Sequence, residues 1–268
     1  MTQLHSTEIS AGERFEFGAN WSRFLNILDD ERIKLAEESL CKMLGVNNLI
    51  GKRFLDAGSG SGLFSLAARR LGATVHSFDF DPQSVACTRA LKTKYFPDDD
   101  SWKIEEASVL NKVFLTQLGV FDVVYSWGVL HHTGDMWDAL ANIDYLVAEK
   151  GQLFIAIYND QGWISHYWLY VKKYYVRSLA LSWLIIIIHW PYLFGLRYIV
   201  RALSRRLKIE RGMSLWYDMI DWLGGYPFEI AKPEEIFNFF YTKKYQLSAL
   251  KTCGGRMGCN EFVFIKQS

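Results

Sequence analysis

The sequence predicts an α/β protein with a doubly wound, mostly parallel seven-stranded sheet and a helical, apolar and basic insertion after the fifth strand. Strand-like and helix-like segments alternate over residues 51–159, which is the pattern of a parallel sheet with helices on both faces. A glycine-rich turn joins the first strand to its helix. The alternation stops at residues 160–231 and then resumes. The 268 residues suffice for one such domain with a full core.

Apolar runs and helical periodicity place the individual elements. Strands are predicted at residues 53–57, 74–79, 102–107, 121–127, 152–158, 247–252 and 261–266. Helices are predicted at residues 30–44, 62–71, 82–94, 135–148 and 233–240. The chain then divides into four parts. Residues 1–50 form a cap segment with its helix, 51–159 the α/β core, 160–231 the insertion, and 232–268 a C-terminal helix with edge strands.

The glycine-rich turn carries the first functional signal. Glycines stand at Gly58, Gly60 and Gly62, directly after Asp56 and before a helix. Glycine permits positive φ and close approach of the backbone to a ligand, and the N-terminus of the helix suits a carboxylate or phosphate. The Gly-x-Gly-x-x-Gly fingerprint of nicotinamide-dependent oxidoreductases is absent, because Leu63 holds its last glycine position.

Two further motifs follow in chain order. Asp79 ends the second strand, near the distance at which such folds place a ribose-binding acid. The second motif is residues 121–132, which comprise the fourth strand and the residues directly after it. Together with Asp-x-Gly-x-Gly-x-Gly, these motifs resemble those of the class I S-adenosylmethionine (SAM)-dependent methyltransferases, which have a Rossmann-like fold. The resemblance implies that SAM is the cofactor. It also implies an antiparallel pairing of the last two strands at the sheet edge.

The resemblance also implies where the cofactor binds. Asp79 would bond both ribose hydroxyls and Phe80 would pack on the adenine. The implied cofactor-binding residues are Asp56, Gly58, Ser59, Gly60, Gly62, Asp79, Phe80, Ser108, Val109, Ser126 and Trp127. The aromatic residues Phe15, Phe17, Trp21 and Phe24 are candidates for a flap over the cofactor, with core packing or disorder as the alternatives.

Two adjacent histidines are the catalytic candidates. His131 and His132 follow the end of the fourth strand, where the reactive methyl group would lie. A hydroxyl nucleophile must lose its proton, and histidine has a suitable pKa for that role. The alternative is a helix-opening pair bonded to the backbone. The Asn/Asp-Pro-Pro-Tyr signature of nitrogen-directed enzymes is absent after this strand, which favours methylation at oxygen. The four cysteines show no CxxC pair, so no metal site is expected.

The insertion is basic, aromatic and apolar. Between Gln161 and Ile209 stand eight Lys or Arg residues and no acid, and residues 179–196 carry no charge. A single membrane span there would separate the last two strands from their sheet, and Pro191 interrupts the apolar run. Two interpretations stay open: amphipathic helices on an anionic membrane surface, or a lid or dimer surface. One predicted basic stripe is Arg197, Arg201 and Arg205.

An insertion after the fifth strand lies over the ligand crevice, so it is the expected place of substrate selection. The candidate substrate-binding residues are Tyr158, Arg211, Trp216, Asp218, Asp221 and Tyr226. Over residues 50–160 the chain resembles the polyprenyl-hydroxyphenol O-methyltransferases of ubiquinone synthesis, although these have Glu-His where this chain has His131-His132. We expect SAM-dependent methylation, at oxygen, of a small apolar or lipid-like acceptor. The alternatives are a glycan or other metabolite as acceptor, or a non-catalytic SAM-binding protein.

Charge and targeting signals bear on partners and localisation. The net charge of +1 gives no reason to expect a nucleic acid partner. Residues 1–11 are polar and resemble no secretory signal, and scattered cysteines suit a reducing compartment. We therefore expect a cytoplasmic protein, peripheral on the inner face of the membrane if the insertion binds lipid. The sequence sets no oligomeric state.

Overall fold

The computed structural model describes residues 2–196, 198, 215–255 and 257–268. Its centre is a seven-stranded sheet of order β3-β2-β1-β4-β5-β7-β6. The strands are β1 (Arg53–Ala57), β2 (Thr74–Asp79), β3 (Trp102–Glu106), β4 (Phe121–Trp127), β5 (Val147–Tyr158), β6 (Tyr245–Lys251) and β7 (Cys259–Lys266). Strands β1 to β5 are parallel, and β7 runs antiparallel to β5 and β6. The predicted fold class and edge hairpin are confirmed.

Helices cover the sheet and form the insertion. They are α1 (Thr2–Ser10), α2 (Gly18–Leu25), α3 (Asp30–Leu44), α4 (Leu63–Arg70), α5 (Pro82–Tyr95), α6 (Lys112–Leu118), α7 (Met136–Asp144), α8 (Trp163–Arg177), α9 (Leu179–Trp190), α10 (Leu215–Gly224) and α11 (Pro233–Tyr241). A 3₁₀ turn at Leu130–His132 follows β4, and a π-helical turn at Pro191–Leu196 follows α9.

The sheet buries apolar side chains on both faces, as the alternating sequence pattern indicated. One face packs Leu55 and Phe78 against α6, α7 and α11, and the other packs Phe54 and Phe154 against α3 and α4. Because both faces are covered, the strand ends are the part of the sheet left for a ligand.

The boundary between α7 and β5 differs from the prediction of a helix reaching residue 148. The helix ends at Asp144, a residue whose carboxylate is buried. The hydroxyl of Tyr245 donates to it over 2.9 Å, and Lys243 and Lys266 pair with it at 3.0 and 3.1 Å. These contacts anchor the helix end to β6 and β7, so the chain turns into β5 at Val147. The partners of Asp144 lie about a hundred residues further along the chain, so the local sequence pattern could not predict where the helix ends.

The insertion forms its own small core. Helices α8, α9 and α10 share a cluster that buries Trp168, Val171, Ile185, Ile186, Met219, Leu223 and Phe228. Helix α9 stops at Trp190, and none of the helices in the described ranges is long and apolar enough to cross a membrane. The predicted basic stripe, Arg197, Arg201 and Arg205, lies outside the described residues.

Candidate active site

A cavity of about 2690 Å³ lies at the carboxyl ends of the parallel strands. Residues of the glycine turn, the N-terminal segment and the insertion all line it. Small-molecule pockets typically enclose about 300–1,000 Å³. The cavity therefore has room for a nucleoside-sized cofactor together with a second molecule.

Gly60 is the glycine of the turn that faces the N-terminal segment. Its φ is +53°, and a Cβ placed on it would lie 3.1 Å from the indole of Trp21. Its amide donates to Asp79 Oδ2 over 2.8 Å. The turn thus presents bare backbone to a slot under an aromatic ring, where a side chain on residue 60 would intrude.

The other two glycines are required for packing. A Cβ on Gly62 would lie 2.8 Å from Thr88 Cα, so this glycine lets α4 lie close to α5. A Cβ on Gly58 would overlap the side chain of Val129. Gly58 and Ser59 line the cavity, while Gly62 is absent from its wall. The expected ligand contact of Gly62 is therefore corrected to helix packing.

Asp79 has the geometry expected of a ribose-binding acid. Its Oδ2 accepts from the Gly60 amide and its Oδ1 from the Asp81 amide, at 2.8 and 2.9 Å. Each carboxylate oxygen has a second lone pair, so two acceptor positions remain for a diol. Burial raises the pKa of Asp79 to about 6, against the opposing effect of these two hydrogen bonds. The site therefore fits the ribose of SAM.

The N-terminal segment covers the same end of the cavity. The amide of Gly18 donates to Asp81 Oδ2 over 2.7 Å, and His5 Nε2 lies 3.7 Å from that oxygen. The guanidinium of Arg14 lies 4.9 Å from the centre of the Phe80 ring. The predicted flap residues Phe15, Phe17, Trp21 and Phe24 line the cavity as well. These contacts hold the N-terminal segment against the residues that follow β2.

The remaining predicted cofactor residues separate into two groups. Ser108, Val109 and Trp127 line the cavity, as does Asp56, which accepts from Ser65 Oγ over 2.5 Å. Burial raises the pKa of Asp56 to about 7. Ser126, in contrast, is fully buried and donates to the Ala57 carbonyl over 2.7 Å. The side chain of Ser126 ties β4 to β1 and is absent from the cavity wall.

The two histidines differ in their hydrogen bonds and in their access to the cavity. His131 is fully buried, its Nδ1 accepts from the Tyr158 amide over 3.3 Å, and its Nε2 has no hydrogen-bond partner among the described residues. The ring of His131 does not line the cavity. The expectation that His131 is a candidate base is corrected on this ground, because its fully buried ring does not reach an acceptor in the cavity.

His132 lines the cavity and keeps a free lone pair. Its Nδ1 lies 2.6 Å from the carbonyl oxygen of Pro227, which can only accept, so Nδ1 carries the proton. Nε2 is then the unprotonated nitrogen. Burial lowers the pKa of His132 to about 3, so the ring is neutral at physiological pH and would hold a transferred proton only transiently. His132 is the base candidate that the geometry supports.

The predicted substrate residues are only partly within the described structure. Tyr158 and Asp221 line the cavity, and Asn20 of the N-terminal segment donates to Asp221 Oδ1. Tyr226 contributes its carbonyl, which accepts from the Phe15 amide over 2.9 Å, and its side chain is absent from the cavity wall. Arg211 and the side chains of Trp216 and Asp218 lie outside the described residues.

The part of the cavity wall formed by the insertion and by the turn after β6 is mainly apolar. Its wall includes Ile164, Tyr167, Trp168, Leu193, Trp222 and Met257. The hydroxyl of Tyr167 donates to His189 Nε2 over 2.6 Å, because His189 Nδ1 is bound to the Ile185 carbonyl at 2.7 Å. Rings and aliphatic groups thus surround the space in which a second molecule would lie.

Sequence reasoning missed several residues that hold this site together. Asp81 caps α5 by accepting from the Gln83 amide over 2.8 Å, and the Asp-Pro pair is a recognisable signal for such a cap. Lys172 is fully buried beside the histidines, and no local pattern distinguishes it from the exposed lysines. Gly224 packs against Phe15, which only the tertiary fold brings near.

Comparison with known proteins agrees with this geometry. Residues 28–205 match a family model described as a methyltransferase domain. The chain belongs to this methyltransferase family. Enzymes of this family use SAM, and the glycine turn, Asp79 and the covering segment are the residues of the cavity that fit it.

Curated relatives match over the core of the methyltransferase. Ubiquinone biosynthesis O-methyltransferases of Escherichia coli and Shigella boydii are 31% identical to it over 116 residues. That alignment covers 42% of this chain and 46% of each relative. The chain thus spans about half the length of the curated relatives it matches.

Solved structures share the fold at low sequence identity. A magnesium protoporphyrin IX methyltransferase from Synechocystis PCC 6803 with bound SAM superposes with a TM-score of 0.53 at 10% identity, covering 88% of this chain and 79% of that one. A putative methyltransferase complexed with the Trm112 activator of Haloferax volcanii gives 0.56 at 14% identity, covering 94% and 96%. At such identities the likeness establishes the fold alone.

Proposed function

We propose that this methyltransferase transfers the methyl group of SAM to a hydroxyl oxygen of a small, largely apolar acceptor. The observation that carries the proposal is the state of His132. Its Nδ1 proton is fixed on Pro227, so a neutral ring with a free Nε2 stands in the cavity wall. A hydroxyl nucleophile needs a group of this kind to receive its proton.

Each element of the site has a part in the reaction. When bound, the cofactor supplies a methyl group on a positively charged sulfur. The turn at Gly60 approaches the methionine end and Asp79 holds the ribose, while the covering segment with Trp21 excludes water. His132 Nε2 takes the proton from the acceptor oxygen as that oxygen bonds to the methyl carbon. Alignment of the reacting atoms contributes much of the rate in such a displacement.

One observation supports an apolar acceptor and a second supports an oxygen nucleophile. The insertion lines the cavity with rings and aliphatic side chains, of which Trp168 and Leu193 are buried. Apolar walls recognise apolar ligands, with a few polar groups fixing orientation. The curated relatives are named as O-methyltransferases of ubiquinone biosynthesis, which agrees with an oxygen nucleophile. A glycan or an amine remains the alternative acceptor, and the experiment below separates these classes.

The outer face of the insertion supports delivery of the acceptor from a membrane surface. Helix α9 exposes aliphatic side chains to solvent: Leu179 is 83% exposed, Ile187 67% and Ile188 60%. Exposed rings surround this face: Trp163, Tyr170, Tyr174, Trp183, Trp190 and Tyr192. Apolar patches of this kind mark interaction surfaces, and aromatic residues favour the membrane interface.

The cavity opens beside this face. Trp163, Tyr167 and Tyr192 are exposed and also line the cavity. Lys173 and Arg177 on α8 supply positive charge, and the sequence has no acid from Gln161 to Ile209. An acceptor dissolved in an anionic leaflet would therefore enter the active site without crossing water. The same face covered by a second copy of the chain is the competing arrangement.

The test of the proposed reaction is a SAM-consumption assay on matched acceptors. Each apolar scaffold is supplied with a free hydroxyl, with an amine in its place, and with the hydroxyl already methylated. We expect turnover with the hydroxyl compounds and none with the methoxy compounds. Turnover with the amines alone would overturn oxygen as the nucleophile. Turnover only with hydrophilic sugars would overturn the apolar acceptor.

A further inference from the structure

A buried lysine lies behind the proposed base. Lys172 of α8 is wholly inaccessible to solvent, and its ammonium donates to the carbonyl of Trp222. Three rings surround the nitrogen, with centres at 4.3 Å for Trp222, 4.8 Å for Phe228 and 5.8 Å for Tyr158. Burying a lysine is costly, and it is uncommon without a close carboxylate partner. This burial needs an explanation beyond packing.

Lys172 and His132 face the same residue. A Cβ placed on Gly225 would lie 3.1 Å from His132 Cε1 and 3.5 Å from Lys172 Nζ. Pro227, two residues further along, accepts the hydrogen bond from His132 Nδ1. The segment from Trp222 to Pro227 therefore joins the lysine to the histidine. A charge on Lys172 acts on His132 at short range and through a dry interior, where screening is weak.

We propose that Lys172 is a positioning residue for the methyl transfer: its ammonium form prevents His132 from taking the acceptor's proton, and its neutral form permits it. The inference rests on the proposed function, in which His132 is the base. The hydrogen bond to Trp222 is available to both forms of the lysine, because a neutral amine also donates. The segment then keeps its place while the charge changes.

The groups facing Lys172 leave its charge finely balanced. Asp221 on α10 and Cys259 on β7 favour the ammonium form, whereas burial disfavours it most strongly. The neighbouring His131 and His132 are neutral, and Arg14 adds a further positive charge near His132. Together these effects lower the pKa of Lys172 to about 7. Both forms are therefore populated near neutral pH.

The proton balance of the step explains the coupling. The acceptor's O–H bond breaks as its oxygen bonds to the methyl carbon, and the sulfur keeps the electron pair of the broken S–C bond. The proton moves to His132 Nε2, which becomes an imidazolium and later releases it to solvent. An imidazolium beside an ammonium is strongly disfavoured in a low-dielectric interior. Beside a neutral amine the imidazolium is spared the repulsion from Lys172, while the effects of burial and of Arg14 on its pKa are unchanged.

The kinetic test compares the wild-type protein with Lys172→Met at saturating SAM and acceptor. For the wild type we expect kcat to fall about tenfold from pH 8 to pH 6, as a single group near pH 7 takes up its proton. In Lys172→Met this dependence should vanish, so that the ratio of its kcat to that of the wild type rises towards acid pH. Lys34→Met, which removes an exposed charge on α3 outside the cavity wall, is the control and should keep the wild-type profile. A Lys172→Met profile with the wild-type inflection would overturn the proposal.

A second measurement uses the wild-type protein and no acceptor. The ¹³Cε1 resonance of His132 should show an inflection near pH 7, reporting the titration of the lysine close by. The histidine itself stays neutral over that range. Absence of this inflection would overturn the coupling even if Lys172→Met does not fold. Because the resonance is read without turnover, failure of the proposed reaction and failure of the lysine's role give different results.

Discussion

The amide of Gly60 donates a 2.8 Å hydrogen bond to Asp79 Oδ2, joining the glycine turn after β1 to the acid at the end of β2. This bond orients the carboxylate towards the slot beneath Trp21. The methionine and ribose portions of SAM are thereby expected to lie on two groups that hold each other in place. Several consequences are measurable.

Replacing Asp79 should weaken the cofactor complex. Hydrogen bonds to a charged group contribute about 1.5–3 kcal/mol, so Asp79→Ala should lower the affinity for S-adenosylhomocysteine roughly 10- to 150-fold in calorimetry. Deoxy analogues lacking a ribose hydroxyl should lose less affinity in the variant than in the parent. Glu149→Ala, an exposed acid of β5 outside the cavity wall, is the control. Equal losses for the analogues in both proteins would show that Asp79 does not contact the ribose.

Substitutions of Gly60 and Gly62 should have different effects, one on cofactor affinity and the other on thermal stability. Gly60→Val places a branched side chain at φ +53° beneath Trp21, so it should abolish cofactor binding. Gly62→Ala would push a methyl group against the backbone of Thr88, so it should mainly lower the melting temperature. Calorimetry and thermal denaturation of both variants provide the check. A Gly60→Val protein that folds and binds normally would refute the assigned site.

Cofactor affinity should depend on pH through the buried acids. The pKa of Asp79 is raised to about 6 and that of Asp56 to about 7, so both carboxyls take up protons as the pH falls towards 5. A protonated Asp79 no longer accepts two hydroxyl hydrogen bonds. The affinity for S-adenosylhomocysteine should therefore rise between pH 5 and pH 8. In Asp79→Asn the rise should be smaller, and an unchanged rise would assign the dependence to other groups.

Substitution of His132 should lower kcat, whereas substitution of His131 should lower the melting temperature. His132→Gln should lower kcat by about 10²–10⁴-fold with little change in cofactor affinity, because a positioned base contributes on that order. His131→Gln should chiefly lower the melting temperature, since His131 is buried against Tyr158 and does not line the cavity. Steady-state kinetics with a responsive acceptor decides this. Full kcat in His132→Gln would move the proton transfer to another group.

The exposed face of α9 should bind vesicles. Replacing Ile187 and Ile188 by Ser should reduce flotation with anionic vesicles, since these side chains are more than half exposed. Val113→Ser, an exposed aliphatic residue of α6 outside the insertion, is the matched control and should leave flotation unchanged. A wild-type protein that does not float but forms a dimer dispersed by the Ile variants would assign this face to a second copy.

The sequence predicted the elements whose causes are local. The bounds of β1, β2 and β4 agree with the prediction residue for residue, because β1 and β4 end directly before a glycine and β2 ends at Asp79, two residues before the cap of α5. Helix α6 was not predicted. It has only seven residues, capped by the side chain of Asn111, and is too short for a periodic pattern.

The roles of the residues in the candidate site depend on partners that are distant in sequence. The state of His131 is decided by the amide of Tyr158 and that of His132 by the carbonyl of Pro227, which follow 27 and 95 positions later. Lys172 owes its environment to Trp222 and Phe228 on another part of the insertion. Motif spacing predicts which residues reach the crevice. Only the packed structure shows which of them keep a free lone pair.

The most direct test of the central claim is a single-turnover reaction with methyl-labelled SAM. The methyltransferase is saturated with the labelled cofactor and mixed with vesicles that carry an apolar hydroxylated acceptor, and the product is analysed by mass spectrometry and NMR. The account predicts one labelled methyl group on the acceptor oxygen, with transfer slowed at least a hundredfold in His132→Gln. Label recovered on nitrogen, or full cofactor binding with no transfer to any hydroxylated acceptor, would contradict it.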